Sequence, residues 1–152
     1  MAITTAICTS FKKELATATH NFTATTGNVF KVALIKVAPA GTYGAASTNY
    51  SNITGNTDEV TGTGYTAGGF AWTAAQNITP ATTGTTAFWS WSVNPNWTTA
   101  TFSTTGCMFY NSSASNASLC LFDFGGTQTV TSGTFTIVLP TNDSTNAVLR
   151  IA

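Results

Sequence analysis

Threonine is the residue type that most constrains the fold of this chain, because it occupies 33 of the 152 positions. Its β-branched side chain is restricted at χ1 and packs well on the pleated surface of a strand. Its hydroxyl also keeps an exposed strand face wettable without adding charge. The sequence therefore predicts a β-rich structural or binding module.

Charged residues are correspondingly scarce, with five basic side chains, five acidic side chains and one histidine. Acid–base, nucleophilic and metal chemistry depend on these residue types, so we expect no catalytic residue, no cofactor and no metal site. The balanced charge offers nothing that would attract phosphate backbones or anionic membranes. Nucleic acid and membrane are therefore not expected as partners.

The uncharged surface has two explanations. Charged residues make up 7% of the chain, against about a quarter of an average soluble protein. Either the protein is a monomer coated with threonine, serine and asparagine, or it is a subunit that covers much of its surface in an assembly. The opening residues lack a basic leader and a long apolar run, so we expect the protein to stay in the compartment where it is made.

Alternating and apolar segments, separated by Gly, Pro, Asn and Ser clusters, predict an antiparallel β-sandwich with one short N-terminal helix. The helix is expected at residues 10–20, capped by Ser10, with Phe11 on its buried face. We expect residues 10–152 to form a single domain behind an N-terminal arm at residues 1–9. The predicted strands are 29–37, which has the apolar pattern of an interior strand, 69–73, 85–93, 100–110, 118–124, 129–139 and 147–152, and the longest predicted loop is 38–57.

Three local motifs have a superficial likeness to catalytic or ligand-binding signatures, and a structural role is favoured for each. The glycine-rich segment 62–69 lacks the lysine of a Walker loop and predicts a turn that positions the next strand. Asp58 and Glu59 point to opposite faces of a strand, so they predict a solvated strand start rather than an acid–base pair. His20 has no serine–carboxylate pattern near it and predicts a structural contact at the helix end.

The thiols and one carboxylate are also assigned structural roles. Cys8, Cys107 and Cys120 follow no zinc or Cys-x-x-Cys spacing, so we expect reduced thiols rather than a disulfide. Asp123 lies between two phenylalanines, where a carboxylate needs a partner, and Arg150 is the candidate for a structural ion pair. Eight Asn-x-Ser/Thr triplets occur, and the composition of the chain alone explains them.

Tryptophan is concentrated between residues 89 and 97. Alternation places Trp89 and Trp91 on one face of a strand, and Trp97 follows the next turn. If these rings are buried, they pack a core or a subunit interface, whereas exposed rings would stack on sugars. Packing is favoured because large aromatic residues dominate cores, and carbohydrate binding remains the alternative.

Several segments together resemble a family of small virion structural proteins of tailed bacteriophages. The likeness runs in consistent order through nearly the whole chain, and it includes the motifs Thr-Ser-Phe-Lys-Lys-Glu-Leu, Phe-Lys-Val-Ala-Leu and Phe-Asp-Phe-Gly. The chain departs from the family pattern at residues 36–50 and 91–97. The matching stretches are 4–15, 20–22, 30–34, 59–69, 110–116, 122–125, 133–137 and 146–152.

The resemblance implies a non-enzymatic part of the virion, made in the host cytoplasm. We expect a head decoration or cement protein that binds the major capsid protein on the outer head lattice and stabilises it. It is expected to act as a homo-oligomer, with a trimer favoured by local three-fold positions. A tail or fibre component is the principal alternative. The candidate contacts, to the capsid or between subunits, are Ile3, Ile7, Phe11, Trp89, Trp91 and Trp97.

Overall fold

Two antiparallel sheets form a sandwich-like fold in the computed structural model, which describes residues 2–152. The predicted mainly-β architecture with a short N-terminal helix is confirmed. The larger sheet has the strand order β1-β7-β6-β2-β3, and the smaller sheet has the order β4-β5-β8. Along the chain the elements are β1 (Ala6–Ile7), α1 (Thr9–Ala16), β2 (Phe30–Ile35), α2 (Ser51–Thr54), β3 (Phe70–Ala71), a 3-10 helix (Ala74–Gln76), β4 (Ala81–Thr83), β5 (Thr86–Trp89), β6 (Asn96–Asn111), β7 (Ala117–Thr136) and β8 (Leu149–Ile151).

Strand β2 lies inside the larger sheet, as its apolar sequence predicts. It pairs with β6 on one side and with β3 on the other. All of its residues except Lys31 are buried, because both faces of the sheet are covered here. Gly69 has φ +72°, and a Cβ at this position would lie 1.9 Å from the carbonyl oxygen of Val32. The glycine therefore allows β3 to approach β2, which is the positioning role expected for segment 62–69.

Strands β6 and β7 form one long hairpin, and the two strands predicted at 118–124 and 129–139 are a single strand. The Gly-Gly step that separates them in the sequence is a bulge rather than a chain reversal. Asp123 pairs with Gly106, whereas Gln128 pairs with Thr104, so four residues of β7 lie opposite Thr105 alone. Gly125 accommodates the bulge with φ +74°, and its N–H donates a hydrogen bond to the Asp123 carboxylate.

The segment expected to be an N-terminal arm is packed against the larger sheet in the part that the structure describes, and Met1 lies outside the described residues. The N–H of Thr4 donates to the carbonyl of Tyr43 at 2.8 Å. Strand β1 then pairs with β7. Ile3 is 3% exposed and packs on Gly106, where a Cβ would lie 2.8 Å from its Cδ1 atom. The segment is therefore hydrogen-bonded to the larger sheet, with Ile3 and Cys8 in the core, rather than a separate arm.

Helix α1 begins at Thr9, one residue before the predicted start. Its N-cap is Cys8, which makes no side-chain capping bond, so the prediction that Ser10 caps the helix is wrong. His20 is buried beyond the helix end. Its Nε2 lies 2.8 Å from a carboxylate oxygen of Glu14, and the Asn111 amide lies 3.0 Å from its Nδ1. This pairing confirms a structural contact for His20.

The core between the two sheets is largely aromatic. Trp91 stacks on Trp72 with ring centroids 4.5 Å apart, and it lies 5.3 Å from Phe109 of the larger sheet. Phe22 and Trp89 continue this layer at 5.3 Å. The tryptophans therefore join strands of both sheets, and the prediction that they pack a core is confirmed.

Residues 38–57, predicted as an exposed loop, are attached to the sheet by the buried Asp58. Its carboxylate accepts hydrogen bonds from the N–H groups of Ala40 and Gly41 and from the hydroxyl of Tyr43. The Lys36 ammonium lies 3.0 Å from it. Asp58 is 0% exposed, so the expectation of a solvated strand start is wrong: the backbone of the loop supplies the donors that the carboxylate needs.

Glu59 pairs with Ile35 of β2 in an isolated bridge, and its side chain is bound on the other side of the chain from that of Asp58. It accepts hydrogen bonds from the hydroxyls of Tyr50 and Tyr65 and from the N–H of Gly68. The two adjacent carboxylates therefore point apart, as strand alternation predicts, but each has donors of its own. Neither is available as a free acid or base.

Candidate functional site

An apolar groove of about 730 Å³ lies on one side of the fold. Its lining comes from β7, from the segment that follows β7 and from the approach to β8. Exposed large hydrophobic residues are otherwise rare, since among residues 2–152 only Val37, Val138 and Ile151 qualify. Val138 is 75% exposed and belongs to the groove lining. The main apolar side chains of the groove are Ile7, Phe122, Phe124, Phe135, Ile137, Val138, Leu139 and Val148.

Main-chain N–H groups in the walls of the groove donate hydrogen bonds that hold these walls. The N–H of Ile137 donates to the carbonyl of Pro95 at 2.9 Å, and the N–H of Leu139 donates to the side chain of Asn94 at 2.9 Å. On the opposite wall the N–H of Ala147 donates to the carbonyl of Asp143 at 3.1 Å. These bonds fix both walls, so the groove is already formed in the single chain.

Cys107 and Phe109 of β6 form the buried part of the lining. Burial raises the pKa of the Cys107 thiol well above its ordinary value, so the thiol stays protonated and is a poor nucleophile. All three cysteines are free and buried, which confirms the expectation of reduced structural thiols. The thiol therefore offers the groove no covalent chemistry, and most of the lining surface is apolar.

Asp123 and Arg150 both line the groove, but they do not form the predicted ion pair. Among the described residues the ion pairs are Glu14 with His20 and Lys36 with Asp58. The Asp123 carboxylate accepts the N–H of Gly125 within the bulge, and Arg150 donates to the carbonyl of Ser144 at 3.4 Å. The bulge satisfies Asp123 locally, which a pattern of alternating residues does not reveal.

The structure places most of the predicted contact residues in the core rather than on the surface. Ile3, Phe11, Trp89, Trp91 and Trp97 are between 1% and 6% exposed. They stabilise the fold and are not accessible to a capsid or another subunit. Of the six candidates only Ile7 is partly exposed, and it lines the groove.

Carbohydrate binding by the tryptophans is overturned by the same burial. A sugar-binding platform needs an exposed aromatic face, whereas Trp89, Trp91 and Trp97 pack against other aromatic rings. Trp97, for example, lies 5.9 Å from both Tyr65 and Phe135. None of the three indoles has a free face for stacking.

Sequence reasoning missed the groove, although one part of its pattern was visible. Phe135, Ile137 and Leu139 alternate with polar or exposed residues and predict a half-buried strand. Strand β7 ends at Thr136, so the last two apolar positions of this alternation border the groove instead of a sheet. The facing wall, at residues 146–150, comes close only through tertiary folding.

A second exposed feature is the outer edge of β7. Beyond Asp123 the strand pairs with β6 but not with β1. Residues 125–136 contain five threonines, no charged residue and no proline, and all of them are exposed or half-buried. Such a row of unpaired backbone groups is a template for pairing with another strand.

Comparisons of this chain with protein-family models, with curated proteins and with solved structures found no match. Within residues 2–152 no helix is long and apolar enough to cross a bilayer. The same residues contain no group of three or more His, Cys, Asp or Glu side chains arranged to hold a metal ion. The groove and the β7 edge are thus the candidate sites.

Proposed function

We propose that this protein is a non-enzymatic structural subunit of a bacteriophage virion that decorates the outer head lattice and stabilises it. The observation that carries the proposal is the exposed, uncharged edge of β7. Monomeric β proteins usually blunt such edges with lysine, proline, bulges or short strands. Residues 125–136 contain no lysine and no proline, and apart from the bulges in the pairing with β6 this edge is open, which favours a subunit that is covered in an assembly over a free monomer coated with polar residues.

The total surface supports a preformed subunit rather than an extended chain that folds on binding. The accessible area is 7112 Å², close to the roughly 7300 Å² expected for a compact monomer of this mass. Binding would then require little rearrangement, and the cost of ordering the chain would already be met by folding.

The proposed partner at the β7 edge is the major capsid protein, which would contribute an extended segment to the larger sheet. Backbone hydrogen bonds give such a contact its affinity, and an uncharged threonine face requires little desolvation of charge. Repeated copies on a lattice strengthen a weak contact by multivalency. Location in the virion, synthesis in the host cytoplasm and a trimer at local three-fold positions stay predictions from the resemblance.

Co-sedimentation with purified heads that lack this protein tests the proposal. The wild-type chain is expected to bind at saturable, lattice-wide occupancy. Thr131→Lys places a charge on the β7 edge and is expected to reduce occupancy, whereas Thr82→Lys, on the exposed strand β4, is the matched control and should bind normally. Equal binding of both variants would remove the β7 edge from the contact, and no binding of the wild type would contradict the proposed function.

A further inference from the structure

We propose that the apolar groove is the contact site for a second copy of this chain, and that two copies pair groove to groove about a two-fold axis. The inference goes beyond the proposed function: it concerns the chain alone, it does not require capsid binding, and it predicts a two-fold pair rather than the trimer that the resemblance favours. The groove shares Gln128, Phe135 and Thr136 with residues 125–136, but the pairing involves groove side chains rather than the backbone edge of β7.

The groove has the chemistry of an interface core. Phe122, Phe124 and Ile137 are half-buried, so each still presents apolar surface to solvent in the single chain. Val138 exposes three-quarters of its surface at the same site. Covering these side chains with an equally apolar surface removes them from water, which is the main driving force for association.

The charges at the groove favour a second copy as the occupant. Asp123 belongs to β7 of the larger sheet, and Arg150 belongs to β8 of the smaller sheet. Neither belongs to an ion pair within residues 2–152. One patch therefore carries a negative group on one sheet and a positive group on the other, and the charge of Arg150 reaches Asp143 without forming an ion pair with it.

Such a patch is complementary to itself. A two-fold axis through the groove brings the larger-sheet wall of one copy against the smaller-sheet wall of the other. Arg150 of each copy then faces Asp123 of the other copy, so that two ion pairs flank one shared apolar centre. A partner with a single sign of charge would leave one of these groups without a counter-charge.

The walls need little rearrangement for this contact. The hydrogen bonds to Pro95, Asn94 and Asp143 that hold them are made within one chain. Association of preformed surfaces avoids the cost of ordering a loop. Strand β8 also lies at the edge of the smaller sheet, so the smaller-sheet wall is open to a neighbour.

Sedimentation equilibrium of the purified protein, over a range of concentrations and without capsids, tests the pairing. We expect a reversible monomer–dimer equilibrium. Val138→Asp should raise the dimer Kd by about tenfold or more, while Val37→Asp, at an exposed valine outside the groove, is the control and should leave the Kd unchanged. Circular dichroism checks that both variants fold.

Charge reversal tests the pairing between Asp123 and Arg150 directly. Asp123→Arg and Arg150→Asp are each expected to weaken the dimer to a similar extent. The double variant should restore it, and a one-to-one mixture of the two single variants should form a mixed dimer, because both contacts are then complementary again.

A chain that is monomeric at all concentrations, or a trimer, would overturn the groove-to-groove pair. The same conclusion would follow if Val138→Asp and Val37→Asp had equal effects, or if the mixture failed to associate. Because these measurements use the purified chain alone, their failure leaves the capsid-binding test of the proposed function unaffected.

Discussion

The hydroxyl of Tyr43 donates a hydrogen bond of 2.5 Å to the buried carboxylate of Asp58. This contact joins the first half of segment 38–57 to Asp58, the residue that follows the segment. Together with the N–H groups of Ala40 and Gly41, it gives the carboxylate three donors from one loop. The loop and the carboxylate therefore stabilise each other.

Replacing this carboxylate with an amide is expected to destabilise the fold. In Asp58→Asn the new NH₂ group is a donor and would face other donors, where the carboxylate oxygen accepted hydrogen bonds from them. Lys36 would also lose its counter-charge. We expect a loss of about 3 kcal/mol in the free energy of unfolding, the range seen when one partner of a buried pair is removed. Urea unfolding measures it. Asp123→Asn, at a partly exposed carboxylate, is the control and should change stability far less.

Acid should weaken the same contact. Burial alone would raise the pKa of Asp58, but the hydrogen bonds from Tyr43, Ala40, Gly41 and Lys36 outweigh it and hold the pKa below its ordinary value. A carboxyl group with a lowered folded-state pKa stabilises the fold above its unfolded pKa of about 4 and loses that contribution as the pH falls further. The stability difference between wild type and Asp58→Asn should therefore shrink below about pH 4. A constant difference would contradict this role.

Alkali should ionise the four tyrosines only when the protein unfolds. Burial, with the nearby Asp58 carboxylate, raises the pKa of Tyr43 to about 12. Burial and Glu59 raise the pKa values of Tyr50, Tyr65 and Tyr110 still further above the ordinary range. Groups with raised folded-state pKa values stabilise the fold below about pH 10, and that contribution is lost as the pH rises through the folded value.

Tyrosinate absorbance and circular dichroism, recorded on the same samples, check this expectation. The two signals should change together above about pH 10 in one cooperative transition. Tyrosines that titrate near their ordinary pKa while the circular dichroism is unchanged would show that the four hydroxyls are accessible in the folded protein.

The cysteines should be unreactive in the folded chain. Burial raises the pKa values of Cys8, Cys107 and Cys120, which suppresses the reactive thiolate as well as access to it. A colorimetric thiol reagent should detect none of the three in native protein and all three in denaturant. Fast labelling before unfolding would contradict the buried positions.

Two stacked tryptophans should respond differently to the same substitution. The indole N–H of Trp72 donates to the carbonyl of Val93 at 2.8 Å, whereas the indole N–H of Trp91 is buried without a protein acceptor. Both substitutions lose ring contacts. Trp72→Phe also leaves the Val93 carbonyl without its donor, whereas Trp91→Phe removes a donor that has no acceptor. We expect Trp72→Phe to be more destabilising by about 1 kcal/mol in chemical unfolding. The reverse order would contradict the hydrogen bond.

Local patterns in the sequence predicted those features that depend on residues close together in the chain. The apolar run of β2 indicated an interior strand, and alternation placed Trp89 and Trp91 together. The Gly-Gly step in β7 misled the prediction because the same residues suit a turn and a bulge. Which of the two forms depends on whether β6 is long enough to continue the pairing.

Features that depend on distant contacts were not predictable in this way. Ile3 is buried because Gly106 leaves space for it, and Asp58 is buried because a preceding loop supplies its donors. The groove combines residues near 122, 137 and 148, which are separated in the chain. Local periodicity does not predict contacts between distant segments. An apolar residue that lines a surface groove therefore looks like a core residue in the sequence.

Quantitative mass spectrometry of purified virions, with the copy number of this chain measured relative to the major capsid protein, tests the proposed function most directly. A fixed ratio near one copy per capsid subunit is the expected result for a lattice-wide decoration protein. A few copies per particle would move the chain to the tail, a fibre or a vertex. Absence from the virion would contradict its role as a structural subunit.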